Sequence, residues 1–225
     1  MTARTIGIAA LGIVGSAIVL LTSQARDHVA AARFWFEDVT FDSSEVQADR
    51  LGGGITAEEM RRIRSLAWSE LRTAYAGLRI SFTERRHAPY QVAVVQDLRP
   101  SPPYHRYPGP AGLSRVVTPF GGRGAVSFRL LAGNAIVYAA PHANRATMID
   151  AIGRGVGRAA VHEFAHQFLK SDRIHASKDT ESYEYGSADR AAQYYRPLHW
   201  DIAWPLLEKR FGPVTSVSVT SEPDK

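Results

Sequence analysis

The pentapeptide His162-Glu163-Phe164-Ala165-His166 decides the fold and the chemistry that we expect of this chain. On a helix, residues four positions apart share a face, so His162 and His166 can direct two imidazoles at one point. Glu163 lies on an adjacent part of the same turn, where its carboxylate can hold a water molecule. Two neutral nitrogen ligands and a carboxylate base are the groups that zinc-assisted hydrolysis requires. We therefore expect a zinc (Zn2+) site with His162 and His166 as ligands and Glu163 as the catalytic base, rather than a surface helix with two solvated histidines.

The bulk composition limits the class of protein. The chain has 225 residues, of which 45% are hydrophobic, so we expect residues 26–225 to form a single domain with one core. The net charge is +5, but no basic stripe is interleaved with aromatic residues, so nucleic-acid binding is not expected. The absence of cysteine excludes disulfides, cysteine-ligated zinc and thiol nucleophiles. No Gly-x-Ser-x-Gly segment supports a serine hydrolase.

The N-terminus has the pattern of an export signal. Residues 6–21 form an uncharged apolar run of sixteen residues, which Arg4 precedes and Ser23-Gln24-Ala25 follows. Because a bilayer span needs about twenty residues, a cleaved signal peptide is favoured over an uncleaved signal anchor. We expect residues 1–25 to be one or the other. The rest of the chain is then secreted or periplasmic (extracytoplasmic), with membrane attachment through residues 6–21 in the anchored form.

Two helices are predicted from their capping residues and apolar spacing. Thr56 and Glu59 form a capping box, and apolar residues recur after it at helical spacing as far as a stop at Gly77. Asn144 caps a second, longer helix, which carries the pentapeptide. This second helix contains three glycines, which we expect to permit its close packing on the sheet: Gly153, Gly155 and Gly157.

Strands are predicted on both sides of these helices. Residues 34–36 are apolar enough for a short first strand or a strap, while residues 78–83 and 91–95 are typical of strands. Residues 125–131 and 135–139 are predicted to form a strand pair joined by a tight turn. This pair would supply the sheet edge along which an extended peptide binds.

A helix, strands, a helix with His-Glu-x-x-His and a further ligand downstream form an order that resembles the metzincin metallopeptidases, most closely their matrixin branch. The pattern of that branch is His-Glu-x-x-His-x-x-Gly-x-x-His, followed by a short turn of the type Ser-x-Met-Tyr. The resemblance covers roughly residues 56–212. It implies an α+β, metzincin-like fold, with a twisted, mostly parallel sheet of four to five strands, an active-site helix and a C-terminal helix. It also implies a zinc metalloendopeptidase that acts on a peptide or protein substrate.

A zinc site needs a third protein ligand, with one position left for water, and the resemblance offers two alignments. In the first, Leu169 replaces the family's glycine and Asp172 stands at the third-ligand position. In the second, residues 175–185 match the stretch from the third histidine through the turn, after an insertion of three residues. The second alignment explains more residues, so we favour His175 and keep Asp172 as the alternative third ligand. The remaining candidates, which would make the site more like that of gluzincins, are Glu181, Glu184 and His199.

The same alignment places Glu184 where the family has methionine. A glutamate is a poor apolar floor below a metal. We therefore expect Glu184 either to accept a hydrogen bond from a ligand histidine or to lie exposed in the turn. Tyr183 and Tyr185 flank it, and either could donate to a developing oxyanion, although packing within the turn is favoured.

Three functions fit these residues. The favoured one is a zinc-dependent metallopeptidase, with zinc on His162, His166 and His175, in which Glu163 takes a proton from water and passes it to the leaving amine. The second is a catalytically inactive metzincin-like binding or scaffold module of the cell envelope, suggested by the missing glycine and methionine. The intact pentapeptide argues against it, because such a module has no need of Glu163. The third is zinc-dependent hydrolysis of a non-protein amide, such as a cell-wall peptide.

Overall fold

A five-stranded sheet forms the frame of the protein. The computed structural model describes residues 29–98, 110–118, 121–170 and 172–213, so the predicted signal segment 1–25 lies outside the described residues. The strands are Ala30–Phe36 (β1), Ile80–Thr83 (β2), Tyr90–Val95 (β3), Gly112–Thr118 (β4) and Gly121–Ser127 (β5). They lie in the order β2-β1-β3-β5-β4, and all neighbours run parallel except β4, which is antiparallel to β5.

Helices lie between and after these strands in the described chain. They are Ala48–Leu51 (α1), Ala57–Ala74 (α2), Phe128–Val137 (α3), Arg145–Leu169 (α4), Ala192–Tyr195 (α5) and Trp204–Phe211 (α6), with a 3-10 helix at Asp172–Ala176. The expected α+β architecture with a mostly parallel sheet is therefore confirmed. Within the described ranges, no helix is both long enough and apolar enough to cross a membrane.

The capping box at the start of α2 is confirmed. The Glu59 carboxylate accepts from the Thr56 N–H at 2.9 Å, and the Thr56 hydroxyl accepts from the Glu59 N–H at 3.3 Å. Arg145, the first residue of α4, donates to the Glu59 carboxylate at 2.6 and 2.8 Å. This ion pair joins the start of α2 to the start of α4, and so fixes the helix that carries the pentapeptide.

Helix α4 packs against α2 on one side and against β3, β4 and β5 on another. The glycines of α4 allow it to pack closely against α2. A Cβ on Gly157 would lie 2.7 Å from the carbonyl oxygen of Ala67 in α2, and a Cβ on Gly155 would lie 2.4 Å from the ring of Tyr194. The prediction that these glycines allow α4 to pack closely on the sheet is therefore wrong, because they bring α4 close to α2 and to Tyr194.

The predicted strand pair at 125–131 and 135–139 is also wrong beyond its first residues. Strand β5 ends at Ser127, whose hydroxyl accepts from the Leu130 N–H and caps α3. Helix α3 packs on α4 and is buried on most of its surface, so its apolar residues do not show a helical stripe. The free sheet edge beside α4 is consequently β4, a strand that the sequence did not predict.

Candidate metal centre

Helix α4 and the 3-10 helix bring three histidines together. His162 and His166 lie one turn apart on α4, and their Nε2 atoms are 3.1 Å apart. The Nε2 atom of His175, on the 3-10 helix, lies 2.9 Å from each of them. The residues predicted as metal ligands therefore form one cluster, and this cluster could hold a metal ion.

The chain reaches His175 through a turn without glycine. Helix α4 ends at Leu169, and Lys170 adopts a left-handed φ of 53° while its N–H donates to the His166 carbonyl at 2.8 Å. A left-handed residue with a side chain costs about 1 kcal/mol or more relative to the right-handed form. The 3-10 helix Asp172–Ala176 then carries His175 back towards α4. These two features bring His175 beside His166, the last histidine of α4.

The protonation state of His162 suits a metal ligand. Its Nδ1 lies 2.8 Å from the carbonyl oxygen of Tyr183, so Nδ1 carries the hydrogen and donates to that oxygen. Burial, together with the nearby His166 and His175, lowers the pKa of His162 to about 3. The ring is therefore neutral near pH 7, and its Nε2 presents a lone pair to the other two histidines.

The spacing of the three Nε2 atoms fits a small divalent ion. Nitrogens bound to a tetrahedral zinc ion at about 2.0–2.1 Å are about 3.3 Å apart, and the three sides of this triangle measure 2.9, 2.9 and 3.1 Å. Three ligands from the protein leave one coordination position open. Imidazole nitrogens suit several transition metals, so the geometry fits a metal ion without fixing its identity.

Glu163 places a carboxylate beside this cluster. Its side chain is buried, and Oε2 has no hydrogen-bond partner among the described residues. Burial raises the pKa of Glu163 to about 7. Room for the carboxylate comes from Gly112 at the start of β4, because a Cβ on that residue would lie 2.2 Å from Oε1 of Glu163. A buried carboxylate without a partner is costly, and a bound water or substrate proton would satisfy it.

A side-chain clamp holds α4 against the sheet at the level of Glu163. The Ser114 hydroxyl donates to the Glu163 carbonyl at 3.0 Å, and the Gln167 amide donates to the Ser114 hydroxyl at 3.2 Å. The Gln167 side chain also exchanges two hydrogen bonds with the backbone of Gln91, at 3.0 and 3.1 Å. Strands β3 and β4 are thereby fixed relative to the helix that carries Glu163.

Glu184 neither accepts a hydrogen bond from a ligand histidine nor lies exposed in the turn, which were the two predicted arrangements. It is fully buried, and its carboxylate accepts from three backbone N–H groups, those of Asp201, Ile202 and Ala203, at 2.6–3.0 Å. It therefore anchors the turn to the start of α6 and contacts no ligand histidine. The acceptor for His162 is instead the backbone carbonyl of Tyr183. The sequence alignment predicted a turn at Tyr183 and Glu184. It could not predict that a backbone carbonyl accepts the hydrogen bond from His162, because every residue type has such a carbonyl.

Other candidate ligands lie outside the cluster. Glu181 pairs with Arg196 at 2.8 Å, and His199 pairs with Asp179 at 2.9 Å. Asp172 begins the 3-10 helix, and its side chain lies outside the described part of the structure. Its role as an alternative third ligand therefore remains a prediction.

The cluster opens into a cavity of about 640 Å³. Its walls come from the start of β4, from α3 and from the segment after the turn; they include Leu113, Leu130, Asn134, Tyr185 and Asp189. Tyr183 and Tyr185 both line the cavity, and Tyr183 packs against Trp200 with ring centroids 5.0 Å apart. A cavity of this size holds one or two amino-acid side chains beside the histidines.

Comparisons of the chain with models of protein families, with curated proteins and with solved structures found no match.

Proposed function

We propose that this protein is a zinc-dependent metallopeptidase of the metzincin type, which hydrolyses peptide bonds outside the cytoplasm. The observation that carries the proposal is that three histidine side chains and one buried carboxylate line a single cavity. A non-catalytic module would have no use for a carboxylate buried without a partner, because such burial lowers stability. The apolar run at residues 6–21 supports the extracytoplasmic location.

His162, His166 and His175 would hold the metal. When bound, the ion would polarise a carbonyl group and make a water molecule more acidic. Tyr183 orients His162 through its backbone carbonyl and keeps Nε2 free for coordination. Zinc is the ion that we propose, because three nitrogen ligands with one open position are typical of catalytic zinc.

Glu163 would act as the proton carrier. It accepts a proton from the attacking water and later donates it to the nitrogen of the leaving amine. A pKa of about 7 suits both transfers, because a base works best when its pKa lies near the working pH. Gly112 leaves the carboxylate free to approach the open side of the cluster.

Strand β4 supports a peptide as the substrate. Among the described strands it is an edge strand that pairs with β5 alone, and its first residues, Gly112 to Ser114, line the cavity. An extended peptide can add to such an edge through backbone hydrogen bonds and place a side chain in the cavity. The mostly parallel sheet, the helix α4 and the C-terminal helix α6 agree with the architecture that the metzincin resemblance implies.

The proposal is tested with the full chain, a Glu163→Gln variant and a Glu208→Gln control, whose altered residue is exposed on α6. Cleavage of a quenched fluorescent peptide library and zinc content are measured on the same preparations. Glu163→Gln should lower the cleavage rate about 100-fold or more while zinc content is retained, and the control should match the wild type. Full activity in Glu163→Gln would refute the assigned base. Zinc-loaded wild-type protein that cleaves nothing would favour the inactive module.

A further inference from the structure

The sheet has one face that no helix of the described chain covers substantially. Helix α4 packs on the face that carries Gly122 and Ser114: a Cβ on Gly122 would lie 2.6 Å from Gln167, and Ser114 bonds to the backbone of α4. Because side chains alternate along a strand, the residues between these positions point the other way. We call this other side the outer sheet face. It includes Arg33, Trp35, Ser81, Gln91, Leu113, Arg115 and Arg123.

Three arginines lie in one row across this face. Arg115 on β4 is directly opposite Arg123 on β5, Arg123 is in register with Gln91 on β3, and Gln91 is in register with Arg33 on β1. Neighbouring strands are about 4.8 Å apart, so the row spans about 15 Å. The row therefore presents three cationic groups along one line across the sheet.

The charge of this row is not compensated within the sheet. The five strands contain no aspartate or glutamate, and Arg33, Arg115 and Arg123 are their only charged residues. Arg115 and Arg123 are exposed, and among the described residues neither side chain makes a hydrogen bond or an ion pair. Like charges directly opposite each other destabilise an antiparallel pair, and an anionic partner would offset this repulsion.

Apolar side chains lie beside the arginines. The guanidinium of Arg33 lies 3.8 Å from the ring centroid of Trp35, and Leu113 is 61% exposed opposite Ala125. Tryptophan, aliphatic residues and arginine side by side are typical of surfaces that bind at the headgroup level of a bilayer. Strand β1 begins only nine residues after the apolar run at 6–21, so an anchored chain would hold this face within about 30 Å of a membrane.

We propose that the outer sheet face docks on an anionic phospholipid surface. Arg33, Arg115 and Arg123 contact lipid phosphates, and Trp35 and Leu113 lie among the headgroups. The interleaved apolar residues favour a bilayer over a nucleic acid, whose backbone offers no apolar layer. Leu113 also borders the cavity beside the metal cluster, but the inference uses none of the metal ligands and does not depend on the proposed peptidase activity.

The test exploits the absence of cysteine from the chain. Ser81→Cys places a single thiol at an exposed position of the outer sheet face, and Ser69→Cys is a matched control on the exposed side of α2. Each full-length variant carries a polarity-sensitive fluorophore and is mixed with vesicles of phosphatidylcholine alone or of phosphatidylcholine with phosphatidylglycerol. The label at position 81 should shift to the blue only with the anionic vesicles, and high salt should reverse the shift. The label at position 69 should not shift.

Charge removal completes the test. In the labelled Ser81→Cys chain, Arg115→Gln with Arg123→Gln should weaken docking roughly 25-fold, about fivefold for each charge. Arg61→Gln with Arg64→Gln removes two exposed charges from α2 and should leave docking unchanged. An equal shift in neutral and anionic vesicles, or no shift in either, would overturn the proposal. Binding to duplex DNA in preference to vesicles, lost in the same double variant, would overturn it in favour of nucleic acid.

Discussion

At the scale of the residue, the site depends on the absence of a side chain at Gly112 as much as on the carboxylate of Glu163. Glu163 can occupy its buried position only because β4 begins with a glycine at that point. The nearest oxygen of the carboxylate lies 2.2 Å from where a Cβ of Gly112 would be, which is well inside van der Waals contact. Gly112 is therefore a positioning residue for the proposed base.

Gly112→Ala should displace the Glu163 carboxylate and lower peptide cleavage about 100-fold, since a shift of about 1 Å at a reacting group can have that effect. Zinc content should stay unchanged, because no ligand nitrogen is touched. Gly186→Ala is the matched control in the same cavity, where a Cβ would make an ordinary contact 3.5 Å from His175. Equal activity of the two variants would contradict the assigned role of Gly112.

The buried carboxylate also predicts a pH dependence of stability for chelator-treated protein. Burial raises the pKa of Glu163 to about 7, above the value of about 4.3 that is usual for a glutamate. Between these values the unfolded chain loses the proton while the folded chain keeps it, so rising pH destabilises the fold. Relative to Glu163→Gln, the wild type should lose at most about 3 kcal/mol of unfolding free energy between pH 4.5 and 7. Urea titrations at pH 4, 5.5 and 7 measure this difference. A difference that is constant across these pH values would contradict it.

At the scale of the element, the turn that contains Tyr183 and Glu184 links the metal site to α6. Tyr183 holds His162 through its carbonyl, and the next residue, Glu184, binds the backbone N–H groups that precede α6. The position where the matrixin pattern has methionine is therefore occupied by a polar anchor. Its carboxylate fixes this turn through a set of hydrogen bonds to backbone N–H groups.

Glu184→Met should consequently fail to improve the site, although methionine is the residue of the matrixin pattern at the aligned position. The Ala203 N–H is buried and would lose its acceptor, and hydrogen bonds to a charged group contribute about 1.5–3 kcal/mol each. We expect a loss of about 3 kcal/mol in unfolding free energy for Glu184→Met and about 1 kcal/mol for Glu184→Gln, whose amide oxygen still accepts. Zinc affinity should fall about 10- to 100-fold in the methionine variant as Tyr183 moves. Urea unfolding and zinc titration measure both effects, and a methionine variant as stable as the wild type would contradict this account.

The elements that sequence predicted are those with a local signal. The capping box of Thr56 and Glu59 and the cap at Asn144 depend only on neighbouring residues, and both are present. Helix α3 was missed because Gly133-Asn134 reads as a hairpin turn and because a buried helix is apolar on all sides. Strand β4 was missed because its exposed residues, Val116 and Val117, break the alternation that marks a half-buried strand.

At the scale of the whole molecule, the site gathers residues that are far apart in the chain. The histidine pair and Glu163 follow from helix geometry alone, so sequence could predict them. His175 required a comparison with a family pattern, because a turn and a short helix separate it from α4. Gly112 and the Tyr183 carbonyl were beyond prediction, because their roles arise only when β4 and the turn pack against α4.

The most direct test of the account is the zinc content of the full chain, measured by mass spectrometry on protein purified without chelator. The account predicts one zinc ion per chain in the wild type and in His199→Ala, whose histidine pairs with Asp179 instead of the cluster. It predicts that His175→Ala loses most of this zinc while remaining folded. Wild-type protein without zinc, or a His175→Ala variant that retains it fully, would contradict the central claim.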